Sequence, residues 1–378
     1  MYKNIKGGVQ LRKILILIVV VTPFLFFGIY LNSNKNDEIA NKTIKYFSNH
    51  HVNHIELDER ATITMKQNKN LFHAGMNLLL YGEQDLSHAP PLFTRLKELG
   101  VNTVAINFPI DQQGWNSNLV EINPAITPSV QSLEELIEIA HSAGLSVKLR
   151  PIIDESNLVK TGHWRGDIQP ENPAEWFKNY RDILTAYAKL AERKGVELFT
   201  IGVELNNLQS AHEEEWKLLI EDIREVYDGK LIYAFNWNAL NNLPDIEFVH
   251  LIDYIGIDAY FPLNVRNDAT IEELDVAWAE WIKDVLPYIE DEKVLLTEVG
   301  IVPIDGAYKT PFQWIYTNRT YNPEVQVNYY ESTFNSWKPY IEGIYWWTVT
   351  LDNDDENNYS PLGLPTEEVI KKQFHEIK

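Results

Sequence analysis

The chain has 378 residues, of which 45% are hydrophobic and 12% aromatic, so it can bury a large core and general disorder is excluded. Its 54 acidic residues outnumber the 33 Lys and Arg and give a formal net charge of -21, which disfavours nucleic acid as a partner and favours a neutral ligand over a phosphorylated one. With no cysteine, the chain has no disulfide, thiolate metal site, cysteine nucleophile or lipoprotein attachment residue.

The amino terminus has the pattern of an export signal. Residues 1–13 are basic, and residues 14–31 form an apolar run. The run is close to the roughly 20 residues that span a bilayer, and no small-x-small cleavage motif follows it. We therefore predict an uncleaved signal anchor rather than a buried core helix, with residues 1–13 in the cytoplasm and everything after about Asn32 outside. The protein is expected to be extracytoplasmic and anchored to the cell membrane, or secreted if the segment is cleaved.

Residues 32–41 form a polar linker, and residues 42–378 are expected to fold as one domain, because no low-complexity tract or internal boundary interrupts them. Short apolar runs alternate there with longer stretches of helical periodicity. The predicted strands are residues 72–79, 102–108, 145–152, 198–205, 231–237, 254–260, 294–300 and 343–349. Eight strand and helix units over about 300 residues predict an α/β fold, a (β/α)8 TIM barrel, with a doubly wound open sheet as the alternative.

Two of the intervening helices have recognisable ends. Ser132 and Glu135 have the spacing of a capping box, and Gly144 is placed to end that helix. Asn172 is the predicted N-cap of a longer helix that should end at Gly195. Helices of this kind are the crossovers that neighbouring parallel strands need. In a barrel the functional residues collect at the carboxyl-terminal ends of the strands, so a site is expected there.

The fourth predicted strand ends in a carboxylate. Because side chains alternate between faces, Glu204 should share a face with Thr200 and Gly202 and point into the barrel, while Val203 should face the helices. An ion pair with a neighbouring Arg or Lys would be the structural explanation of one such carboxylate. A second one, Glu298, occupies the same terminal position in the seventh strand. Glycoside hydrolysis needs two carboxyl groups across one cleft, one to donate a proton to the leaving oxygen and one to act on the anomeric carbon.

Aromatic and amide side chains surround the predicted pair. Trp237, Tyr260 and Trp347 lie at strand ends, where their rings could stack on pyranose faces, although core packing would also explain them. Trp346, beside Trp347, is assigned to the core. The amides that suit sugar hydroxyls, all of a residue type also common in loops, are those of Asn107, Asn206, Asn236 and Asn238.

Two charged residues at strand ends have both a functional and a structural interpretation. Arg150 is placed to keep the anionic member of the pair ionised, or to form a salt bridge with Asp154 or Glu155 instead. Asp258 is either a substrate contact or a hydrogen-bonded structural acid, and we favour the structural role. The sequence contains no HExxH spacing, Gly-rich phosphate loop or nucleophile-elbow serine, so no metal and no cofactor are expected.

Several stretches of the chain resemble glycoside hydrolase family 113, the endo-β-mannanases of clan A. They are HAGMNL, VNTVAINF, TGHWRGDIQPENPAEWFKNY, FTIGVEL, IDYIGIDAYFPL, LLTEVGI, YWWTV and NNYSPLGLPTEEVI, and together they cover roughly residues 70–370. The resemblance implies that Glu204 is the general acid/base and Glu298 the nucleophile of a retaining double displacement. It also implies that Tyr260 hydrogen-bonds Glu298, and that Trp347 forms the floor of the subsite that holds the sugar under attack.

The resemblance further implies that Asn107, Arg150, Trp164 and Trp237 lie in the substrate cleft. One departure from the family pattern concerns Val203, because many clan members have Asn immediately before the acid/base glutamate, where it contacts the sugar 2-hydroxyl. The departure leaves the choice of sugar more open than the choice of reaction.

The sequence thus predicts a monomeric, retaining endo-β-glycoside hydrolase acting on β-1,4-mannan or a related β-linked polysaccharide or oligosaccharide. Retention predicts roughly 5 to 5.5 Å between the carboxyl groups of Glu204 and Glu298. Desolvation and the negative charge of Glu298 should raise the pKa of Glu204. The alternatives are another clan A β-glycanase (a xylanase, galactanase or glucanase), or a carbohydrate-binding surface protein without turnover.

Overall fold

The computed structural model describes residues 72–313, 316, 319–352 and 359–377. The predicted cytoplasmic segment 1–13, signal anchor 14–31 and linker 32–41 lie outside these residues. Among the residues described, no helix is long and apolar enough to cross a membrane. All eight predicted strands lie within the described part of the chain.

Eight parallel strands close into a barrel. The strands in chain order are β1 (His73–Leu79), β2 (Thr103–Gln112), β3 (Val120–Glu121), β4 (Ser146–Ile153), β5 (Leu198–Val203), β6 (Lys230–Asn236), β7 (Tyr254–Asp258), β8 (Val294–Val299) and β9 (Gly343–Val349). The short β3 pairs antiparallel with the end of β2 and lies outside the barrel. Because β1 pairs with β2 on one side and with β9 on the other, the barrel has no free edge. The predicted (β/α)8 barrel is confirmed, and the open doubly wound sheet is wrong.

Helices cover the outside of the barrel. Within the described residues the α-helices are α1 (Ala89–Glu98), α2 (Val130–Ser142), α3 (Pro173–Lys194), α4 (Asn206–Gln209), α5 (Glu213–Arg224), α6 (Ile271–Ile289), α7 (Pro323–Trp337) and α8 (Thr366–Glu376). Apolar side chains of these helices and of the outer strand faces form one continuous core. Between β6 and β7 the crossover consists of two 3-10 helices, Trp237–Asp245 and Glu247–Leu251, in place of an α-helix.

The helix ends follow the predicted pattern except at the start of α2. There Ser129 is the N-cap, and its Oγ accepts from the backbone N–H of Ser132 at 3.1 Å. Both serines precede a stretch of helical periodicity, so spacing alone does not decide between them. Asn172 caps α3 as predicted, and Gly144 and Gly195 end their helices with left-handed φ angles of 74° and 67°.

The inside of the barrel has three layers along its axis. The layer at the amino-terminal ends of the strands contains the buried Lys148 and an apolar cluster of Ala105, Leu198, Ile232, Tyr254, Leu295 and Tyr345. The middle layer is polar and contains the fully buried side chains of Asn107, Arg150 and Asp258. The third layer, here called the mouth patch, consists of Ile152, Val203 and Ala234. The polar middle layer is therefore enclosed between two apolar clusters and shielded from water, which makes its charges costly unless they are paired.

A bulge in β5 changes the face on which its last residues lie. The pairing with β6 shifts register between Thr200 and Gly202, and a one-residue shift moves the following side chains to the other face. Val203 consequently belongs to the mouth patch, and Gly202 lies against the ring of Tyr233, where a Cβ atom would be only 2.4 Å away. The predicted alternation of Thr200, Gly202 and Glu204 on one face is wrong for this reason, and Val203 does not face the helices.

Candidate active site

Glu204 reaches the cleft through its backbone conformation. It follows β5 with a φ of 53°, in the left-handed region that residues other than glycine rarely occupy. Its N–H donates to the carbonyl oxygen of Ala234 at 2.8 Å, which ties this turn to β6. Such a conformation costs about 1–3 kcal/mol and persists only where surrounding contacts hold it. The side chain that results is 12% exposed and lies among residues from the carboxyl-terminal ends of the strands.

Two donors face the carboxyl group of Glu204. Nδ2 of Asn236 donates to Oε1 at 2.6 Å, and Oδ1 of Asn236 accepts from the N–H of Asn238 at 3.1 Å, which fixes the orientation of the amide. Nη1 of Arg165 lies 3.6 Å from Oε2. Asn236, whose amide was predicted to suit sugar hydroxyls, therefore donates an amide N–H to Glu204.

Burial and neighbouring charges make Glu204 a weak acid. Removal from water raises its pKa to about 8, and the negative charge of Asp258 adds to the rise. Arg165 opposes the rise, while Glu298 and Glu155 add smaller contributions. A carboxyl group with this pKa is mostly protonated at neutral pH. The predicted rise is present, although Asp258 contributes more to it than Glu298 does.

Glu298 lies in β8 and presents both carboxylate oxygens to buried donors. Nη1 of Arg150 donates to Oε1, and the hydroxyl of Tyr260 donates to Oε2 at 2.9 Å. Only 7% of the residue is exposed. The two glutamates thus differ in environment: a guanidinium contacts Glu298 directly, whereas the guanidinium nearest to Glu204 is 3.6 Å away.

Arg150 and Asn107 lie beneath the carboxylates, and both are fully buried. Besides contacting Glu298, Arg150 donates to Oδ2 of Asp258 at 2.7 Å and to Oδ1 of Asn107 at 3.1 Å. The Asn107 amide donates in turn to backbone carbonyl oxygens of β1 and β2. Arg150 thus lies beside the carboxylate that it was predicted to keep ionised, and Asn107 holds Arg150. The expectation that both lie in the substrate cleft is corrected, because neither has surface open to a sugar.

Asp258 completes this buried group. Its Oδ1 accepts from Oγ1 of Thr297 at 2.8 Å, and its Oδ2 accepts from Arg150. Burial raises the pKa of Asp258 to about 7, against the effect of Arg150, which lowers it. Asp258 thus has the hydrogen-bonded structural position that we favoured. Asp154 and Glu155, the other partners considered for Arg150, bind different side chains.

Three of the predicted tryptophans keep part of their surface exposed. Trp347 packs on the mouth patch, and Trp237 packs against the rings of Phe261 and Trp281. Trp164 is also half-buried. Each of the three residues is therefore partly packed and partly exposed, as a side chain that stacks on a sugar must be.

The remaining aromatic predictions are resolved by packing. Trp346 is fully buried and stacks on Tyr330 with 3.9 Å between ring centroids, which confirms its assignment to the core. Tyr260 is 8% exposed and donates its hydroxyl to Glu298, so little of it is open to a ligand. Gly166 lies under the ring of Trp164, where a Cβ atom would be 2.2 Å away, so no larger residue fits without moving the ring.

Lys148 and Arg165 are charged residues near the site that are not among the residues predicted from the sequence. Lys148 is fully buried, donates to the carbonyl oxygen of Thr297 at 3.3 Å and lies 3.6 Å from the centroid of the Tyr345 ring. It precedes Arg150 by two residues and shares its face of β4, a signal that is visible in the sequence. Arg165 begins a three-residue 3-10 helix, Arg165–Asp167, which is too short for periodicity to indicate the direction of a side chain.

The groups assembled at the mouth are carboxyls, amides and aromatic rings. Within the part of the chain that the structure describes, no cluster of three or more His, Cys, Asp or Glu side chains is arranged to hold a metal ion. A protonated carboxyl after β5 and a guanidinium-paired carboxylate in β8 can together transfer a proton and attack an electrophilic carbon.

Comparisons with known proteins agree with this chemistry. The model of Glycoside Hydrolase Family 113 matches residues 81–360. A solved structure described as a complex of a GH113 β-1,4-mannanase is 23% identical, with a TM-score of 0.68 over 80% of this chain and 99% of that chain. The GH113 β-mannanase AaManA from Alicyclobacillus acidocaldarius, in complex with ManMIm, is 24% identical with a TM-score of 0.68, over 81% and 98% of the two chains. A β-glucuronidase from Ruminococcus gnavus shares the fold at 12% identity and a TM-score of 0.55, over 80% of this chain and 50% of that one. The comparison with curated proteins gave no match.

Proposed function

The chain belongs to glycoside hydrolase family 113, and from that membership we propose that it is a retaining endo-β-1,4-mannanase. The observation that carries the proposal is the difference between its two carboxyl groups. Glu204 has a pKa of about 8, whereas Glu298 is paired with Arg150 and accepts a hydrogen bond from Tyr260. A proton donor and an anionic nucleophile are the two groups that a retaining glycosidase requires.

In the first chemical step the carboxylate of Glu298 attacks the anomeric carbon while Glu204 transfers its proton to the glycosidic oxygen. The bond from the anomeric carbon to that oxygen breaks, the leaving sugar departs as an alcohol, and an ester joins Glu298 to the remaining sugar. Arg150 and Tyr260 hold the nucleophile in one orientation, and Trp347 provides a platform for the sugar ring.

In the second step Glu204, now ionised, takes a proton from a water molecule whose oxygen attacks the anomeric carbon and releases Glu298. Two inversions at one carbon give net retention. The negative charge of Glu298 contributes to the raised pKa of Glu204, so forming the neutral ester lowers that pKa. The acid of the first step thereby becomes a suitable base for the second.

Mannan is the favoured substrate because solved relatives at 23% and 24% identity are described as β-mannanases. The net charge of -21 suits a neutral polysaccharide. Val203 stands where many clan members place an Asn that contacts the 2-hydroxyl, and its side chain packs in the mouth patch beside Trp347. A contact to the 2-hydroxyl would therefore have to come from another residue.

The proposal is tested by measuring the reducing ends that the full-length chain releases from mannan, xylan, galactan and glucan. Glu298→Ala removes the nucleophile and should abolish release, and Glu204→Gln should slow it by several orders of magnitude. Glu280→Gln, at an exposed position of α6, is the matched control and should retain full activity. Release of reducing ends from xylan, galactan or glucan but not from mannan would show that the substrate is that glycan and not mannan. Binding without release from any glycan would favour a carbohydrate-binding protein. Full activity in Glu298→Ala would contradict the mechanism.

We further propose that residues 14–31 anchor the enzyme on the outer side of the cell membrane. The basic residues before the apolar run and the polar linker after it support this orientation. In fractionated cells the full-length protein should sediment with membranes, and protease added to intact cells should digest the barrel. A protein that stays in the cytosolic fraction and resists the protease would contradict the proposal.

A further inference from the structure

Arg165 links the carboxyl group of Glu204 to a second acid, Glu155. Its Nη1 lies 3.6 Å from Oε2 of Glu204, while its Nε and its backbone N–H donate to the same oxygen of Glu155 at 3.0 and 3.1 Å. The three side chains are 17%, 12% and 16% exposed, so the pairs are largely shielded from solvent. A guanidinium held on one side by Glu155 has little freedom to leave Glu204 on the other.

The Arg165–Glu155 pair comes from a segment that lies against the turn of Glu204. Arg165 and Glu155 belong to the loop after β4, which contacts α4 directly behind Glu204. The titratable and charged groups that act on Glu204 from the elements around it are Arg150, Glu155, Arg165, Tyr233, Asp258 and Glu298. Arg165 is the member of this set that brings a positive charge nearest to the carboxyl, and Glu155 partly neutralises that charge.

We propose that Arg165 and Glu155 form a positioning pair that holds the Glu204 carboxyl and sets the pH at which it exchanges its proton. The inference rests on the proposed function, because it assigns Glu204 the proton transfers of that reaction. Arg165 stabilises the ionised form, and Glu155 limits how strongly it does so. Without the pair, Glu204 would keep its proton too firmly to serve as the base of the second step.

The pair predicts opposite effects from its two members. Arg165→Gln removes the positive charge, so the alkaline limb of kcat/KM should move up by about one pH unit. Glu155→Gln removes a negative charge and leaves Arg165 fully available to Glu204, so the limb should move down. Arg165→Lys keeps the charge and should move the limb less than Arg165→Gln does. Arg193→Gln, at an exposed Arg paired with Glu134, is the matched control and should leave the limb in place.

A second readout separates this inference from the proposed function. Infrared difference spectra of the full-length protein in detergent micelles, with Glu204→Gln as the reference, follow the protonation of the Glu204 carboxyl without any turnover. Its midpoint should shift upward in Arg165→Gln and downward in Glu155→Gln. Those shifts in a protein that hydrolyses no glycan would uphold the inference and reject the proposed function. Shifts of the same sign in both variants, or none in either, would overturn the inference even if mannan is hydrolysed.

Discussion

Arg150→Met removes the cation that pairs with two buried carboxyl groups. Arg150 contacts Glu298 and Asp258, which are 7% and 0% exposed. Removing one partner of a buried ion pair costs about 3–5 kcal/mol, because the other charge is left without compensation. Met fills much of the same space without a charge, so Arg150→Met should lose about 3–5 kcal/mol of unfolding free energy at pH 8.

The loss should depend on pH. Burial already holds the folded pKa of Asp258 at about 7, above the unfolded value of about 3.9, even though Arg150 lowers it. Without Arg150 the folded pKa rises further. A folded pKa above the unfolded one gives stability that is fully present below the unfolded pKa and is lost as pH rises through the folded pKa. The variant should therefore lose less at pH 5, where protonation neutralises the buried Asp258 carboxyl, than at pH 8.

Urea unfolding of the full-length chain in detergent, followed by tryptophan fluorescence at pH 5 and pH 8, measures both effects. Arg150→Lys retains the charge but not the forked geometry and should lie between the wild type and Arg150→Met. Arg193→Met breaks a surface pair with Glu134 and should cost less than about 1 kcal/mol. Equal losses in Arg150→Met and Arg193→Met, or a loss in Arg150→Met that does not change with pH, would refute the reasoning.

Three further outcomes are expected. Wild-type kcat/KM should fall as pH rises above about 8, since ionisation of Glu204 removes the proton donor, and a profile without an alkaline limb would count against that role. Tyr260→Phe removes a hydrogen bond to Glu298 that is worth about 1.5–3 kcal/mol. The value of kcat should therefore drop by about 10- to 150-fold with little change in KM. An unchanged kcat would show that this hydrogen bond does not contribute to catalysis. A crystal structure should show about 5 to 5.5 Å between the carboxyl groups of Glu204 and Glu298, and about 6.5 Å or more would indicate inversion instead.

The barrel could be predicted from sequence because strand and helix alternate along the whole domain. Each predicted strand lies within a few residues of an observed one, since apolar runs bounded by caps and glycines mark these elements locally. The start of α2 was misplaced because Ser129 and Ser132 are both suitable caps and the sequence alone does not distinguish them.

The candidate site was harder to predict because two of its features are not local. The bulge in β5 arises from its pairing with β6, and strand alternation alone does not reveal it. The alternation that predicts Glu204 in the cleft therefore does not hold. The actual position of Glu204 depends on a left-handed φ that nothing in the sequence signals. The sequence predicts Asn107 in the cleft because it lies near a strand end. That position does not distinguish a residue buried beneath the carboxylates from one above them. Arg165 has no signal in the sequence, because its 3-10 helix of three residues is too short to show periodicity.

The most direct test of the central claim is to trap the covalent intermediate. A 2-fluoro-β-mannosyl fluoride should react with the full-length enzyme and leave a sugar ester that hydrolyses slowly, because fluorine disfavours the positively charged transition state of both steps and the fluoride leaving group speeds only the first. Peptide mapping by mass spectrometry should place the label on Glu298 in the wild type and find no label in Glu298→Ala. A label on Glu204, or mannan hydrolysis by an enzyme that never becomes labelled, would contradict the assignment of Glu298 as nucleophile.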